Sequence, residues 1–540
     1  MTLLRTTYLS VAVLLCVTAC EKQTQTNTPP ENALNISIGA SPQTLDPHLA
    51  TGTPSSKILA ALGESLVDKD LETYKITPGV AERWQISDDG LTYTFFIRAN
   101  ARWSNGDPVT AHDFVFTWQR AMTPSVGWQY ATDYYFIEGA KALHTGKQID
   151  KHELGVKALD DHTLVFSLER PYPIFLEQLS SERQMPLHRK SIEAVGDAYD
   201  SSTNWTTPDS YVSNGPFVLK KWDINRIIEL EKNPYYWDVD SVRLDKIYAH
   251  PIESESADER AFRAGQIDLS HAARIPVDKI AVYQRERPEQ LRIVSAYGTY
   301  FYHLNVNQAP LDNILVRRAL AHAIDRQSIV ENITKAGEGV ATTLNPPVSG
   351  YVDLVTPLEY NLDTARQLLA DAGYPNGEGF PEFALIYNTS DAHRKVALAI
   401  QQMWKVNLGI NVRLENQEWK IFLYTRRNQD YAIARAGSIS DIGDPQDFLE
   451  SYRTDHEMND SGWSNAQFDI LVTQASNTVN TDERYALLAE AESILLDQLP
   501  IIPIYYYSYS YLINEKVKGV QFNSLSRINF KSIYISEGEE

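Results

Sequence analysis

Trp103-Ser104-Asn105-Gly106-Asp107-Pro108-Val109-Thr110-Ala111-His112-Asp113-Phe114-Val115-Phe116-Thr117-Trp118 is the most informative stretch of the chain. Ser104 to Pro108 is a turn cluster, since Asn, Gly, Asp and Pro each favour turn backbone for their own reason. Thr110 then precedes a helical run to Ala121, and Thr110 with Asp113 has the spacing of a capping box with Asp in the Glu position. Upstream, Leu91 to Ile97 is rich in β-branched and aromatic residues and predicts a strand.

The same alternation runs outward in both directions. Leu34 to Ile38, Thr163 to Leu168, Phe217 to Trp222, Ile410 to Leu414 and Ile501 to Tyr507 read as strands. Asp312 to Thr334, Asp363 to Ala372, Asp391 to Leu408 and Thr481 to Leu499 read as helices, with Gly373 and Gly409 at two of the ends. Ser41 to Ser56 reads as turn-rich, with Leu45-Asp46-Pro47-His48 inside it. Interleaved strands and helices make this a mixed α/β chain. No fixed-period repeat and no Gly/Ser linker divides it, so the domains expected of 540 residues must be joined by close crossings.

The net charge is −21, and aromatic residues make up 11% of the chain, with 30 Tyr. So acidic a balance excludes a broad nucleic-acid surface, which needs clustered Lys and Arg. Tyr joins an apolar face to a polar tip and suits a wet, adaptable binding site. The chain holds two cysteines, both near its start. Arg5, an apolar run from Tyr8 to Val17 and then Val17-Thr18-Ala19-Cys20 predict a signal peptide over 1–19, with the Cys positioned as in a bacterial lipobox. Cys20 is then the lipidated residue; plain secretion after Ala19 is the alternative. Residues 20–33 read as a polar tether. This places the chain in the periplasm or otherwise outside the cytoplasmic membrane, lipid-anchored. It would keep one cysteine, form no internal disulfide and hold no thiolate zinc site.

Motifs for enzymatic chemistry are missing. There is no G-x-x-x-x-G-K-[ST] loop, no H-E-x-x-H and no G-x-S-x-G elbow, and the twelve His show no metal-ligand spacing. No cofactor, metal site or catalytic residue is expected.

Several stretches together resemble the oligopeptide-binding proteins of bacterial ABC importers, in the peptide/nickel class of solute-binding proteins. They are the 103–118 segment, Ser213-Asn214-Gly215-Pro216-Phe217, Asn233-Pro234-Tyr235-Tyr236-Trp237, Val316 to Leu320 with Ile324-Asp325-Arg326, Leu414 to Lys420, and Ala434-Arg435-Ala436-Gly437. The likeness runs from about Leu34 onward. It implies a large three-lobed periplasmic binding protein-like fold with a hinge and an enclosed ligand cleft. The lobes would be 34–68 with 183–296 and 505–540, then 69–182, then 297–504. It implies a monomer that captures short peptides and hands them to a membrane ABC permease. The other readings are a murein tripeptide or another solute such as a nickel chelate, and, further off, a cell-wall hydrolase.

The resemblance also carries residues over. An acidic residue just after the Ala-Arg-Ala-Gly segment would hold the ligand's α-ammonium, and here it is Asp441. A carboxylate in a closed cleft suits that task, reading a feature common to all peptides. Taken alone, Asp441 reads as a loop acid near Gly443 and Pro445. Arg435 and His393 match groups near the ligand's carboxylate end, and Arg426 is a third cation; a solvated helix start and a solvated basic pair are the alternatives for His393 and Arg426. Trp419 and Tyr130 match aromatic cleft positions, with core packing the alternative for Trp419. Gly437 would let a ligand backbone approach, and Thr51 and Thr53 match first-lobe contacts. Ser438-Ile439 stands where this branch often has Trp-Cys. His271, Ala272 and Ala273 stand where it tends to place a Tyr and an Asn. Those departures point to a narrower ligand than general oligopeptides.

Overall fold

The structure is a computed structural model that describes residues 32–50, 52–147, 150–271, 275–440, 442–454, 456 and 458–536; the side chains of Trp419 and Lys420 also lie outside the description. The signal peptide, Cys20, Thr51, Ala272, Ala273 and Asp441 lie outside these residues. Among the described residues, no helix is long and apolar enough to cross a membrane.

The largest sheet has eleven strands. Its order from one edge is Val412–Gln417, Phe383–Asn388, Ile433–Ile439, Leu291–Leu304, Ile501–Ile513, Leu269–Ser270, Ala33–Ser37, Lys246–His250, Ile227–Lys232 and Phe217–Asp223; Gly339–Val340 also pairs with Ile501–Ile513. A separate four-stranded antiparallel sheet runs Ala81–Ile86, Thr92–Ile97, Thr163–Ser167, Val156–Asp160.

Burial divides along these sheets. One apolar core gathers residues 34–62, 185–269 and 513–533, with Phe116. A second holds 66–179 and is built around the four-stranded sheet. Residues 300–505 form a third, against one face of the Leu291–Leu304 strand. A fourth packs helices Ala466–Ser476 and Thr481–Gln498 on the other face. The two longest strands, Leu291–Leu304 and Ile501–Ile513, join the halves of the large sheet. They pair antiparallel from Leu291↔Leu512 to His303↔Ile501, with register shifts between Ser295 and Thr299 and between Tyr300 and Phe301. The positions 296/297 and 504/505, expected as lobe boundaries, fall inside these two strands, where the ladder is irregular.

The opening stretch folds as its residues dictate. Helix Ala111–Ala121 starts at Thr110, whose backbone N–H donates to Asp113 Oδ2 at 2.8 Å. The Trp103 indole donates to the same carboxylate at 3.4 Å, tying the turn to the helix. Its buried face includes Phe114 and Trp118, both at the heart of the second core. Helix Asp391–Leu408 ends on Gly409 at φ 73, the left-handed cap that glycine adopts without steric cost. The 312–334 stretch differs from expectation. It is not one helix: Ile314–His322 ends, and Asp325 caps a new start by accepting the Ser328 N–H at 3.0 Å, before Arg326–Ile329 and a π turn over Val330–Thr334. A competent N-cap residue in mid-run outweighed the apolar periodicity. The turn-rich 41–56 segment likewise gives way early to helix Thr53–Leu62.

Candidate functional site

A cavity of about 520 Å³ lies where the first and second cores meet the end of the Ile433–Ile439 strand. The start of helix Thr53–Leu62 forms one wall, residues 180–183 another, and 525–531 a third. Thr53, Tyr130 and Ile439 line it, so three of the expected binding residues come together from distant parts of the chain. Ile439 is 51% exposed, a large aliphatic side chain presented to the opening.

The charges inside are matched locally. Glu64 is buried; it accepts from the Tyr236 hydroxyl and from Trp237 Nε1 at 2.5 Å, and Lys531 Nζ lies 3.3 Å away. Burial still raises its carboxyl above the ordinary value. Burial also pushes Glu182 up, but the Arg183 and Arg527 guanidiniums and the Ser56 hydroxyl reverse this and leave it lowered. Arg183 covers the Tyr130 ring at 4.3 Å. Lys57 donates to the His271 carbonyl from a buried position, and burial depresses it to about 7. These cavity charges were missed in the sequence. The one available signal was Lys57, a lone cation immediately before the apolar run Ile58-Leu59-Ala60-Ala61-Leu62.

A second group sits along the Ile433–Ile439 strand. Arg435 donates to the Tyr507 hydroxyl at 2.8 Å, and its guanidinium lies 4.8 Å from the Tyr300 ring. Tyr300 stacks on Tyr505 at 4.5 Å and stands 5.6 Å from the His393 ring. Arg435 and His393 therefore meet the same tyrosine. Among the described residues Arg435 has aromatic and hydroxyl partners and no carboxylate within ion-pairing distance. Tyr300 is buried, and burial pushes its hydroxyl up to about 12, so it stays a neutral donor.

Gly437 follows on the same strand face. A Cβ there would run into the Tyr507 hydroxyl, and one at Gly298 across the ladder would sit 2.7 Å from Ile439 Cγ1. Glycine at both positions makes room for the Tyr507 and Ile439 side chains to pack against this strand end. Ser438 pairs in register with Thr299.

Arg426 stands apart. It lies on helix Trp419–Arg427 and its Nε is 2.5 Å from Asp460 Oδ2, with the two side chains 14% and 5% exposed. It is neutralised within the protein. Asp441 and Thr51 lie outside the described residues, as does the Trp419 side chain. The neighbours of Asp441 are fixed: Ser440 donates its N–H to Tyr297 O at 2.9 Å, and Ile442 and Gly443 donate theirs to Ser440 Oγ at 3.2 and 3.1 Å. Asp444 caps helix Pro445–Glu450 and is bound by the buried Arg484 at 2.8 Å. Among the described residues no three His, Cys, Asp or Glu gather as a metal would need.

Residues 75–460 match the family described as bacterial extracellular solute-binding proteins, family 5 Middle. The chain is 36% identical over 521 residues to the oligopeptide-binding protein OppA of Bacillus subtilis, covering 93% of each. It is 37% identical to the periplasmic oligopeptide-binding protein OppA of Salmonella typhimurium, covering 92% of this chain and 91% of that one. Among solved structures it superposes on the periplasmic murein tripeptide binding protein MppA in its unliganded open form, with TM-score 0.83, 33% identity, 94% of this chain and 98% of that one.

Proposed function

The chain belongs to family 5 of the bacterial extracellular solute-binding proteins, and from that membership we propose that it captures short peptides outside the cytoplasm and delivers them to a membrane ABC permease. The observation that carries this is the match, over more than nine-tenths of both chains, to proteins named for binding oligopeptides. The work is recognition, not bond-breaking. Asp441 would receive the ligand's α-ammonium and Arg435, beside His393, its carboxylate. Such charge-assisted bonds read the two ends of any short peptide. Arg426, already paired with Asp460, is left a structural role.

The three lobes would be those set out above, moving about the Leu291–Leu304 and Ile501–Ile513 strands. A ligand that bridges them favours the closed form by its differential affinity. A lipid at Cys20 would hold a monomer at the membrane surface.

Calorimetry with one tripeptide in three forms tests the reading: free termini, N-acetylated, and C-terminal amide. Blocking the amine is expected to weaken binding by about tenfold or more, and so is Asp441→Ala, each removing a bond to a charged group. Equal affinity for the acetylated and free peptides contradicts it. A murein tripeptide is the second reading, supported by the MppA likeness and by Ser438-Ile439 at the strand end. It predicts that cell-wall peptides outcompete ordinary tripeptides.

A further inference from the structure

A short hairpin, Val67–Lys69 paired with Ile76–Pro78, reaches the loop after position 441 at Ile442. Its turn is tightly built. Asp70 Oδ1 accepts from Thr73 N at 2.6 Å and Thr73 Oγ1 at 2.7 Å, and Tyr74 N donates to Asp70 O at 2.8 Å. Two side chains leave this turn for distant segments. Lys69 Nζ donates to Ile442 O at 2.8 Å, across 373 positions of chain. The Tyr74 hydroxyl accepts Ser524 N–H at 2.9 Å and shares a hydrogen bond with Ser524 Oγ at 2.9 Å.

These bonds close a ring. Ser524 O accepts from Tyr297 N at 2.8 Å, Tyr297 O accepts from Ser440 N at 2.9 Å, and Ser440 Oγ accepts from Ile442 N at 3.2 Å. The hairpin thus grips the strand end, the loop beyond it, and Tyr297 in the irregular part of the Leu291–Leu304 strand. Lys69 is 4% exposed, yet among the described residues no carboxylate lies within ion-pairing distance. A buried ammonium directed at one backbone carbonyl is a costly way to fill space, since an apolar side chain would fill it without desolvating a charge. It is an effective way to fix a loop, because a charge-assisted bond is about twice as strong as a neutral one.

We propose that Lys69 is a positioning residue for ligand capture, setting the loop around position 441 through the Ile442 carbonyl. This rests on the reading that Asp441 receives the ligand's ammonium. Tyr74 supplies an indirect second link, through Ser524 and Tyr297 to Ser440.

The charged groups facing Lys69 come from three other elements: Glu177 on helix Phe175–Leu179, Asp444 with its partner Arg484, and Arg527. Burial first, and Arg527 second, depress the ammonium to about 8, against Glu177 and Asp444. Burial also raises the Glu177 carboxyl, with Lys69 opposing it. As pH rises through about 8 the ammonium becomes an amine and the bond to Ile442 O loses its charge assistance. An arginine at 69 stays charged.

The test measures one tripeptide by calorimetry against wild type, Lys69→Met, Lys69→Arg and Asp441→Asn at pH 7 and 9.5. Hydrogen exchange of the Ile442 and Gly443 amides is read on the same proteins. Expected are a loss of about tenfold in Lys69→Met, matching one lost bond to a charged donor, faster exchange of both amides, and recovery of both readouts in Lys69→Arg. The ratio of wild-type to Lys69→Arg affinity is expected to fall at pH 9.5; the peptide's own amine titrates alike for both and cancels. Unchanged affinity and exchange in Lys69→Met, with Asp441→Asn losing the ligand, overturns the role of Lys69 and leaves the anchor standing. If Asp441→Asn binds as wild type does, the anchor reading fails and with it the capture role, and exchange alone then shows whether Lys69 holds the loop.

Discussion

Arg426 and Arg435 lie nine residues apart and both sit largely out of water, yet one faces a carboxylate and the other faces tyrosines. Arg426 faces Asp460 at 2.5 Å. Arg435 is surrounded by tyrosines, donating to the Tyr507 hydroxyl and lying against the face of Tyr300. The difference is in what each neighbourhood does to an incoming carboxylate. A ligand anion at Arg426 must displace a buried acid, while one at Arg435 completes an arrangement that already tolerates the cation. Lys57 is a third solution. Buried with the His271 carbonyl as its acceptor, it is depressed toward neutrality, to about 7. Burial of a cation therefore does not mark a binding site by itself; what sets Arg435 apart from Arg426 is that tyrosines, and not a carboxylate, surround it.

The comparison can be broken in four places. Arg426→Met leaves Asp460 buried without its partner and is expected to cost about 3–5 kcal/mol of stability in denaturant titration, while peptide affinity holds. If it weakens binding tenfold at unchanged stability, the two arginines have been assigned the wrong way round. Lys57→Met sharpens the third case through pH. Unfolded lysine keeps its proton up to about 10.4 whereas the native residue loses it near 7, so the unfolded state binds more protons across that window. Wild type is therefore expected to gain stability over the variant as pH rises from 7 to 9.5, by about 3 kcal/mol; a flat difference contradicts the depressed value. Arg435→Met is expected to lose about tenfold in affinity for a peptide with a free carboxylate and little for its amide. Equal losses for both ligands would reduce Arg435 to a packing role. Arg189→Ala is the control, an exposed pair with Glu193 at 2.6 Å, expected to change stability by under about 0.5 kcal/mol.

Much of the fold could be read from the residues. The Thr110–Asp113 cap, the Gly409 stop and the strands at 33–37, 92–97 and 163–167 are local signals, and local signals survive folding. The Leu291–Leu304 strand escaped because Ser295 to Gly298 interrupts its alternation, at the place where the structure shifts register. The site was legible only in part. Tyr130, Thr53 and Ile439 do meet at one cavity, and Arg435 meets His393 through Tyr300. The Arg426–Asp460 pair could not be seen, since nothing in the sequence ties residues 34 positions apart. Nor could Lys69, whose acceptor is a backbone carbonyl and so carries no residue signature at all.

Native mass spectrometry of the protein purified without denaturation, and again after ligand stripping, tests the central claim most directly. Bound masses that match short peptides are expected, lost on stripping and restored by added tripeptide. A single discrete mass that is not a peptide, retained in place of added tripeptide, would contradict it.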